Sequence, residues 1–321
     1  KVKQDPRFLT NTDGIKSEHR VALNEIIQEW HSTRTEAEAL ELREGEELVV
    51  APADQKRVDI EMAAHGGTIV EIRKENGKWQ VVRDGKMNRR ITPLDTAMTI
   101  DGPAAGHARM KTNDDPDGVN VIGTLNNCAG GVTPRRTWIS CEEYVIGPEH
   151  GAPWTKRHGY CFEVPVDGKG LCTPEPIVPM GRFRHEAVAV DPRTGIVYLT
   201  EDREDGVFYR YLPDHPDRFL EGGRLQALCL DGCDSADTRD WDAAMPLRRA
   251  IAESVHWIDV EDVDSNDDSL RYQCYKNGAA RFARAEGCWM GTDEVWFACT
   301  TGGRTKHGQI MRYRPSRFEG T

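Results

Sequence analysis

The spacing of hydrophobic residues divides the chain into two parts with different predicted structures. Within residues 17–45 the apolar positions follow the period of a helix, as shown by Leu23, Ile26, Ile27 and Trp30. After about residue 46, short runs of β-branched and aromatic residues alternate with Gly, Asp, Asn and Pro. We therefore predict a partly helical N-terminal extension over residues 1–48 and a β-rich domain over residues 49–321.

Several of the β-rich runs occur in pairs separated by a turn sequence, which indicates β-hairpins. One pair, GTIVEI and WQVV, turns at Asn76-Gly77, and another reads AVAVDPRTGIVYLT. Further strands are predicted in GYCFEVP, GVFYRYLP, DEVWFACTT and GQIMRYRP, and one further helix near residues 240–254. Serial hairpins without alternating helices predict an antiparallel all-β fold. The length of the chain favours a β-propeller over a sandwich or a barrel.

Composition narrows the class of protein without identifying a function. The 321 residues carry a net charge of −11, which argues against nonspecific nucleic-acid binding and suits a protein that holds cations. No long apolar run occurs, so no transmembrane segment is predicted. The polar segment that begins at Lys1 lacks the features of a secretory signal, and partner chains leave no recognisable sequence signal. The nine cysteines contain no repeated CxxC pair, which disfavours a zinc ribbon.

A cysteine and two acids follow one of the predicted strands. The strand TWIS leads directly into Cys141, Glu142 and Glu143. A thiolate beside two carboxylates repels its neighbours unless a cation neutralises the charge, so this group indicates a metal site. The alternative is an edge strand that ends in surface acids, with Cys141 buried.

The hairpin AVAVDPRTGIVYLT gathers further acids at one of its ends. His185 and Glu186 precede its first strand, whereas Glu201 and Asp202 follow its second. Because the start of one antiparallel strand lies beside the end of the next, we expect these side chains to lie close together. The alternative is a solvated turn in which Arg203 pairs with one of the acids.

A third candidate is the segment FARAEGCW, in which Arg284 and Glu286 are two residues apart. Side chains at this spacing on an extended segment share a face, so a cation and an anion point into one space. The alternative is an ordinary surface ion pair. The polar segment over residues 88–112 is predicted to be a loop near the site. Carboxylates suit calcium and a thiolate suits a transition metal, so the combination indicates metal-assisted hydrolysis of a phosphoryl group.

Seven ordered motifs resemble those of the PhoX-type alkaline phosphatase family. They are NRRIT, GPAAGH, GTLNNCAGGVTP, TWISCEE, GRFRHEAVAVDPRTGIVYLTEDR, FARAEG, and TTGG followed by GQI. The similarity extends from about residue 57 to about residue 318. The resemblance implies a β-propeller with iron and calcium at its centre and hydrolysis of small phosphate esters. It also implies a periplasmic or secreted location after twin-arginine export.

The resemblance implies roles for individual residues as well. Arg284, in the RxEG motif, would grip the substrate phosphate as the catalytic residue, with Asn127 as a second substrate-binding residue. Cys141, in the TWxxCEE motif, would be an iron-bound thiolate. The implied carboxylate ligands of the metals are Glu142, Glu186, Glu201, Asp202 and Glu286.

One departure of the chain from the family is a changed motif, because TPRRT stands where the family usually shows TPWGT. Two arginines therefore replace an aromatic residue and a glycine beside the expected site. Two other functions stay open, a noncatalytic propeller that serves as a binding or structural subunit, and a calcium-dependent lactonase. The phosphatase interpretation predicts that the Cys141 sulfur and the carboxylates of Glu186 and Glu286 converge within about 6 Å, with Arg284 on the open side.

Overall fold

A computed structural model describes residues 60, 64, 67–91, 97–99, 106, 115–122, 124–150, 157–165, 175–241 and 251–320. Residues 62–321 form a compact unit of their own, which contains every element given below. The helix predicted within residues 17–45 lies outside the described residues, and the domain boundary predicted after residue 48 stays a prediction.

Antiparallel strands dominate the described structure, which confirms the all-β prediction. Seventeen strands occur among the described residues: β1 Gly67–Ile69, β2 Ile72–Glu75, β3 Lys78–Val81, β4 Arg89–Ile91, β5 Ala97–Thr99, β6 Asn120–Ile122, β7 Asn127–Val132, β8 Thr137–Glu142, β9 Cys161–Pro165, β10 His185–Val190, β11 Val197–Glu201, β12 Phe208–Pro213, β13 Gly223–Leu230, β14 Val255–Asp259, β15 Ala285–Met290, β16 Val295–Cys299 and β17 Gln309–Tyr313. The same residues contain one α-helix, α1, Leu270–Lys276, and 3-10 turns at Pro148–His150, Val178–Met180 and Phe219–Glu221.

The strands form three larger sheets in which sequential neighbours pair. These sheets have the orders β7-β8-β9, β10-β11-β12-β13-β14 and β15-β16-β17, and the pairs β1-β4, β2-β3 and β5-β6 form small sheets. The predicted hairpin AVAVDPRTGIVYLT is confirmed, with Val190 opposite Val197. The turn at Asn76-Gly77 is confirmed too, since both residues have positive φ angles, 49° and 80°, between β2 and β3.

The first two strands of the five-stranded sheet are buried on both faces, which explains their continuous apolar runs. Every residue of β10 and β11 is buried. Val188 and Leu199 belong to one hydrophobic cluster, shared with the β7-β8-β9 sheet, whereas Ala189 and Tyr198 belong to a second, shared with the β15-β16-β17 sheet. Because successive side chains point to opposite faces of a strand, a strand between two cores needs an apolar residue at nearly every position.

The first strands of the three larger sheets, β7, β10 and β15, pack against one another. Gly131 in β7 permits the closest approach, because a Cβ atom at this position would lie 2.2 Å from the backbone oxygen of Val188 in β10. Gly131 therefore lets the backbones of β7 and β10 pack closely.

Two local predictions differ from the structure. The segment over residues 88–112 was expected to be a loop, but β4 and β5 lie in it, because distant segments supply pairing partners that composition does not reveal. Of the helix predicted near residues 240–254, residues 242–250 lie outside the described part, and the described residues at its two ends are not helical. Among the described helices, none is long and apolar enough to cross a membrane.

Candidate functional site

The candidate site lies where β7, β10 and β15 begin, and these three strands begin in the same way. The second residue of β7 is Cys128, that of β10 is Glu186, and that of β15 is Glu286. Each is therefore at an equivalent position in its own sheet. The packing of the three strands places these side chains at a common end of the sheets.

A β-bulge follows the first residue of each of these strands. In β7, Asn127 pairs with Glu142 and Gly130 with Ser140, so three steps on one strand match two on the other. The same irregularity separates His185 from Val188 in β10 and Ala285 from Cys288 in β15. A bulge leaves one residue unpaired and changes the direction of a side chain. The side chain at the second position therefore does not follow the regular alternation between the two faces of the strand.

The second strands supply another set of equivalent positions. Glu143 comes directly after β8, Asp202 after β11 and Thr300 after β16. Each follows a residue that pairs with the first residue of the neighbouring strand. Each of the three sheets therefore contributes two residues at equivalent positions to the candidate site, six residues in total.

Three of these six residues lie close enough to share one metal ion. The Cys128 thiol donates a hydrogen bond of 3.0 Å to Oε1 of Glu186. One ligand atom each from Cys128, Glu143 and Glu186 lies within 4.8 Å of the others. Within the described residues, no salt bridge joins Glu143 or Glu186 to a lysine or arginine. A thiol and two carboxylates that no described lysine or arginine pairs with directly form a donor set that fits a metal cation.

The proton affinities of these groups reflect the crowding of negative charge. Burial raises the pKa of the Glu143 carboxyl to about 7, and a hydrogen bond to Asp202 and the charge of Glu186 add to the shift. Burial also raises the pKa of Glu186, and the charges of Glu286 and Asp202 act in the same direction. Burial and the hydrogen bond to Glu186 raise the pKa of the Cys128 thiol. The site without a cation therefore holds protons that a bound metal would displace.

Arg284 lies beside this group and pairs with the two other acids. Its Nε and Nη2 atoms donate to the two carboxylate oxygens of Asp202 at 2.7 and 2.8 Å, and Nη2 lies 3.0 Å from Oε1 of Glu286. Although burial opposes it, hydrogen bonding from Arg284 keeps the pKa of Asp202 below its usual value. Thr300 Oγ1 donates to Glu286 at 2.8 Å and fixes that carboxylate. Arg284 is 39% exposed, so it forms the open side of the site.

Cys141 lies in the hydrophobic core and not in this ligand group, which differs from the prediction about the thiol. It is fully buried in the core, and its sulfur lies 3.8 Å from the sulfur of Cys161 on the neighbouring strand. The Cys161 sulfur in turn lies 3.3 Å from Nδ1 of the buried His185. The thiol in hydrogen-bond contact with Glu186 is that of Cys128.

Glu142 points away from the site and stabilises a loop. Its carboxylate accepts hydrogen bonds from the backbone N–H groups of Leu125, Gly159 and Tyr160 at 2.8, 2.8 and 3.2 Å, and its Oε1 lies 2.9 Å from Nδ1 of His158. These contacts occupy both oxygens, so the assignment of Glu142 as a metal ligand does not fit the geometry. The next residue, Glu143, is the one that reaches the site.

Glu201 is at the position in β11 that corresponds to Glu142 and has a similar structural role. It is fully buried and accepts hydrogen bonds from the Val207 N–H at 2.9 Å and the Tyr209 hydroxyl at 3.1 Å. Burial raises its pKa to about 7, although Arg271 opposes the shift. Of the acidic pair at the end of this hairpin, only Asp202 contacts Arg284.

Asn127 also has local partners. Its amide donates to Oγ of Ser140 at 2.8 Å, and its Oδ1 accepts from Oγ1 of Thr124 at 2.7 Å. These bonds hold the start of β7 in place next to Cys128. The substrate-binding role expected for Asn127 stays a prediction.

Comparisons with known proteins bear on the whole chain. The family model for alkaline phosphatase PhoX matches residues 25–321. The chain belongs to the PhoX family. The solved structure of Pseudomonas fluorescens PhoX in complex with vanadate, a transition state analogue, is similar at a TM-score of 0.59 and 24% sequence identity. The match covers 80% of this chain and 56% of that one, so this PhoX-family chain spans about half the length of the solved relative. The search of the curated proteins finds no match.

Sequence reasoning missed Cys128 and left Glu143 out of the candidate ligand group of this PhoX-family chain. A signal for Cys128 was present, because NCAGGV, HEAVAV and AEGCWM align as the first strands of three sheets. The second letter of each is the site residue. Without the register of these strands, the cysteine adjacent to two glutamates in TWISCEE is the more conspicuous one.

The departure from the family motif at TPRRT lies away from the candidate site. Thr133 to Arg136 form the turn that joins the end of β7 to the start of β8, whereas Cys128 is near the beginning of β7. Val132 lies four positions after Cys128 along the strand, a distance of about 13 Å at 3.3 Å per residue. Arg135 donates to the backbone oxygen of Asp217 at 2.5 Å. The changed motif therefore leaves the residues of the site in place.

Proposed function

We propose that this chain is a metal-dependent phosphomonoesterase whose centre forms where β7, β10 and β15 begin. The observation that carries the proposal is the group of Cys128, Glu143 and Glu186, which has ligand geometry and no basic partner, next to the exposed guanidinium of Arg284. A cation site and an arginine side by side provide two positive groups for a phosphate dianion.

Iron and calcium are the ions that we propose for this centre. The Cys128 thiolate suits iron, and the carboxylates of Glu143 and Glu186 suit calcium as well as iron. Asp202 and Glu286, whose charges act on Glu186, complete the acidic surroundings. When bound, the metals would supply Lewis-acid polarisation of the phosphoryl oxygens.

Arg284 is the residue that we propose to bind the phosphoryl group. Asp202 and Glu286 hold its Nε and Nη2 atoms, whereas its Nη1 atom has no hydrogen-bond acceptor within the described part of the chain. The guanidinium is therefore fixed in position and retains donors for a ligand. Donors that are already oriented cost little reorganisation when negative charge develops on the phosphoryl oxygens.

The propeller and the location belong to the same proposal. Three antiparallel sheets stack through two hydrophobic clusters, with their first strands side by side, which is how the blades of a propeller meet around a centre. We propose that the domain over residues 49–321 is such a propeller-like region, that it acts on small phosphate esters, and that it works in the periplasm or outside the cell.

The test compares two cysteines in one assay. Protein loaded with iron and calcium is assayed with p-nitrophenyl phosphate, and its metal content is measured by elemental analysis. Cys128→Ser should lose iron and lower kcat/KM by at least about 100-fold, since removal of one ligand weakens both the site and its electrostatic effect. Cys141→Ser serves as the matched control, because its thiol lies in the core, and it should keep its iron.

Each other result has a defined meaning. Loss of iron in Cys141→Ser and not in Cys128→Ser would contradict the assignment of the thiol. Absence of turnover by the metal-loaded wild-type protein would contradict the phosphatase proposal and favour a noncatalytic binding subunit. Opening of a lactone without phosphatase activity would favour the lactonase.

A further inference from the structure

Two arginines beside the candidate site have no role in the geometry described so far. Arg184 precedes Glu186 by two residues, and Arg203 directly follows Asp202. The N–H of Asp202 donates to the backbone oxygen of Arg184 at 3.2 Å, and the N–H of Arg284 donates to that of Arg203 at 2.8 Å. The backbone that carries the site therefore also anchors both arginines.

The two guanidinium groups share one carboxylate. Arg203 contacts Asp268, and Nε of Arg184 lies 3.8 Å from Oδ2 of Asp268, too far for a hydrogen bond. Oδ1 of Asp268 accepts a bond of 3.1 Å from a third arginine, Arg271. Neither the Nε–H of Arg184 nor that of Arg203 has an acceptor among the described residues. The guanidinium groups of Arg184 and Arg203 therefore share the carboxylate of Asp268, which also accepts a hydrogen bond from Arg271.

The other acids of this cluster are committed to Arg271. Asp205 accepts from its Nε at 2.9 Å, and Glu201 lies 3.7 Å from its Nη1. Among the described residues, Asp268 is therefore the one carboxylate within ion-pair distance of Arg184 and Arg203, although the charges of Glu201 and Asp205 also act on Arg203. Consistent with this, burial and the repulsion from Arg184 and Arg271 lower the pKa of Arg203. Arginines that crowd together without enough carboxylates favour the binding of an oxyanion.

Arg184 is held on the side of the metal-ligand group. Its guanidinium carbon lies 5.3 Å from the centre of the Tyr144 ring, and Tyr144 directly follows Glu143. About 30% of each arginine side chain is exposed, so a ligand can reach both. Tyr144 is 37% exposed and offers an aromatic surface next to them. The Arg184 guanidinium therefore packs on the ring of the residue that directly follows the candidate metal ligand Glu143.

We propose that Arg184 and Arg203, which we name the arginine pair, bind a second anionic group on the leaving alcohol of the substrate. The preferred substrates would be phosphate monoesters whose alcohol carries a carboxylate or another phosphate. This inference rests on the proposed phosphatase function. The backbone N–H of Arg284 donates to the backbone oxygen of Arg203, so the residue proposed to bind the phosphoryl group is a direct neighbour of the arginine pair.

The experiment uses three aryl esters that share one ring: phenyl phosphate, 4-carboxyphenyl phosphate and 1,4-phenylene bisphosphate. The metal-loaded protein should show a higher kcat/KM for at least one of the two esters with a second anionic group, and comparison of these two distinguishes a carboxylate from a phosphate. In Arg184→Gln and Arg203→Gln, the ratio of that kcat/KM to the phenyl phosphate value should fall at least about tenfold. A hydrogen bond to a charged group is worth this much or more. Differences in leaving-group reactivity cancel when wild type and variant are compared.

Two further variants make the result specific. Arg184→Lys retains the charge without the planar fork and should give an intermediate ratio. Arg135→Gln removes an exposed arginine at the other end of β7, and it should leave the ratio unchanged. Melting temperatures identify any variant that fails to fold, in which case Arg184→Lys still carries the test.

The possible failures can be told apart. Wild-type turnover of phenyl phosphate, with equal ratios in wild type and in both glutamine variants, overturns the role of the arginine pair and leaves the phosphatase proposal standing. Absence of turnover of all three esters by the metal-loaded wild type overturns both.

Discussion

Replacing Glu143 with Gln should remove about one of the protons that metal binding releases near pH 6. Glu143 forms the candidate ligand group with Cys128 and Glu186, and burial raises its pKa to about 7. A carboxyl group must lose its proton before it can coordinate a metal, and glutamine has no such proton. The change therefore alters a countable quantity, the number of protons released for each bound ion.

The magnitude follows from the pKa of Glu143. With a pKa of about 7, roughly nine-tenths of the metal-free molecules carry this proton at pH 6 and roughly one-tenth carry it at pH 8. The raised pKa of the Cys128 thiol keeps that group protonated at both values, so it releases about one proton throughout. Not counting the proton of Glu186, which wild type and variant share, wild type should then release about two protons at pH 6 and about one at pH 8, whereas Glu143→Gln should release about one at both.

Affinity should change with the proton count. Each proton that a metal displaces costs about tenfold in affinity for every pH unit below the pKa of its group. Between pH 7 and pH 5.5, the proton of Glu143 therefore weakens the binding of iron(II) by roughly 16-fold beyond the effect of the thiol, because half of the molecules already carry this proton at pH 7. The variant binds more weakly at pH 8, because it lacks one ligand, but its affinity depends less steeply on pH.

The assay is anaerobic titration calorimetry with iron(II) at pH 6 and pH 8. Each titration is repeated in two buffers with different ionisation enthalpies, because the difference between the observed heats gives the number of protons released. Glu75→Gln, at an exposed carboxylate in β2, is the control and should behave as wild type. Equal proton counts for wild type at both pH values, or an unchanged difference in Glu143→Gln, would refute the reasoning.

Two further predictions concern Arg284 and Glu201. Arg284→Lys keeps the positive charge but loses the planar guanidinium group that Asp202 orients. The value of kcat for p-nitrophenyl phosphate should therefore fall about 100-fold or more, while the metal content stays unchanged. An unchanged kcat would contradict the proposed role of the guanidinium group. Burial raises the pKa of Glu201 from 4.5 to about 7, so its protonated form stabilises the fold, and this contribution is lost as pH rises through 7. In metal-free wild-type protein, the unfolding free energy measured by urea denaturation should therefore decrease between pH 5 and pH 8. In Glu201→Gln this decrease should be smaller by up to about 3 kcal/mol. A decrease as large in the variant as in wild type would contradict the prediction.

Much of the fold could be predicted from local sequence. The continuous apolar runs of AVAV and IVYLT require burial on both faces, and the structure buries β10 and β11 between two clusters. The turn at Asn76-Gly77 was predictable because both residues tolerate positive φ angles, which a two-residue hairpin needs. These features depend on neighbours along the chain, so the sequence expresses them directly.

The pairing of β4 with β1 could not be predicted in the same way. The segment RRI lies within a polar stretch rich in Gly and Pro, and its partner, Gly67–Ile69, is about twenty residues away. A three-residue strand is stable only if a partner and a core are in place, and neither is visible in its own composition.

The candidate site shows the same division at the level of single residues. The sequence by itself determined that acids and a cysteine cluster near the ends of particular strands, and that Glu186, Asp202, Arg284 and Glu286 are among them. Only the tertiary structure decided which neighbours reach the site, because adjacent residues of a strand point to opposite sides. Bulges at the start of three strands interrupt that alternation. The Cys128 thiol can therefore form its hydrogen bond to Glu186.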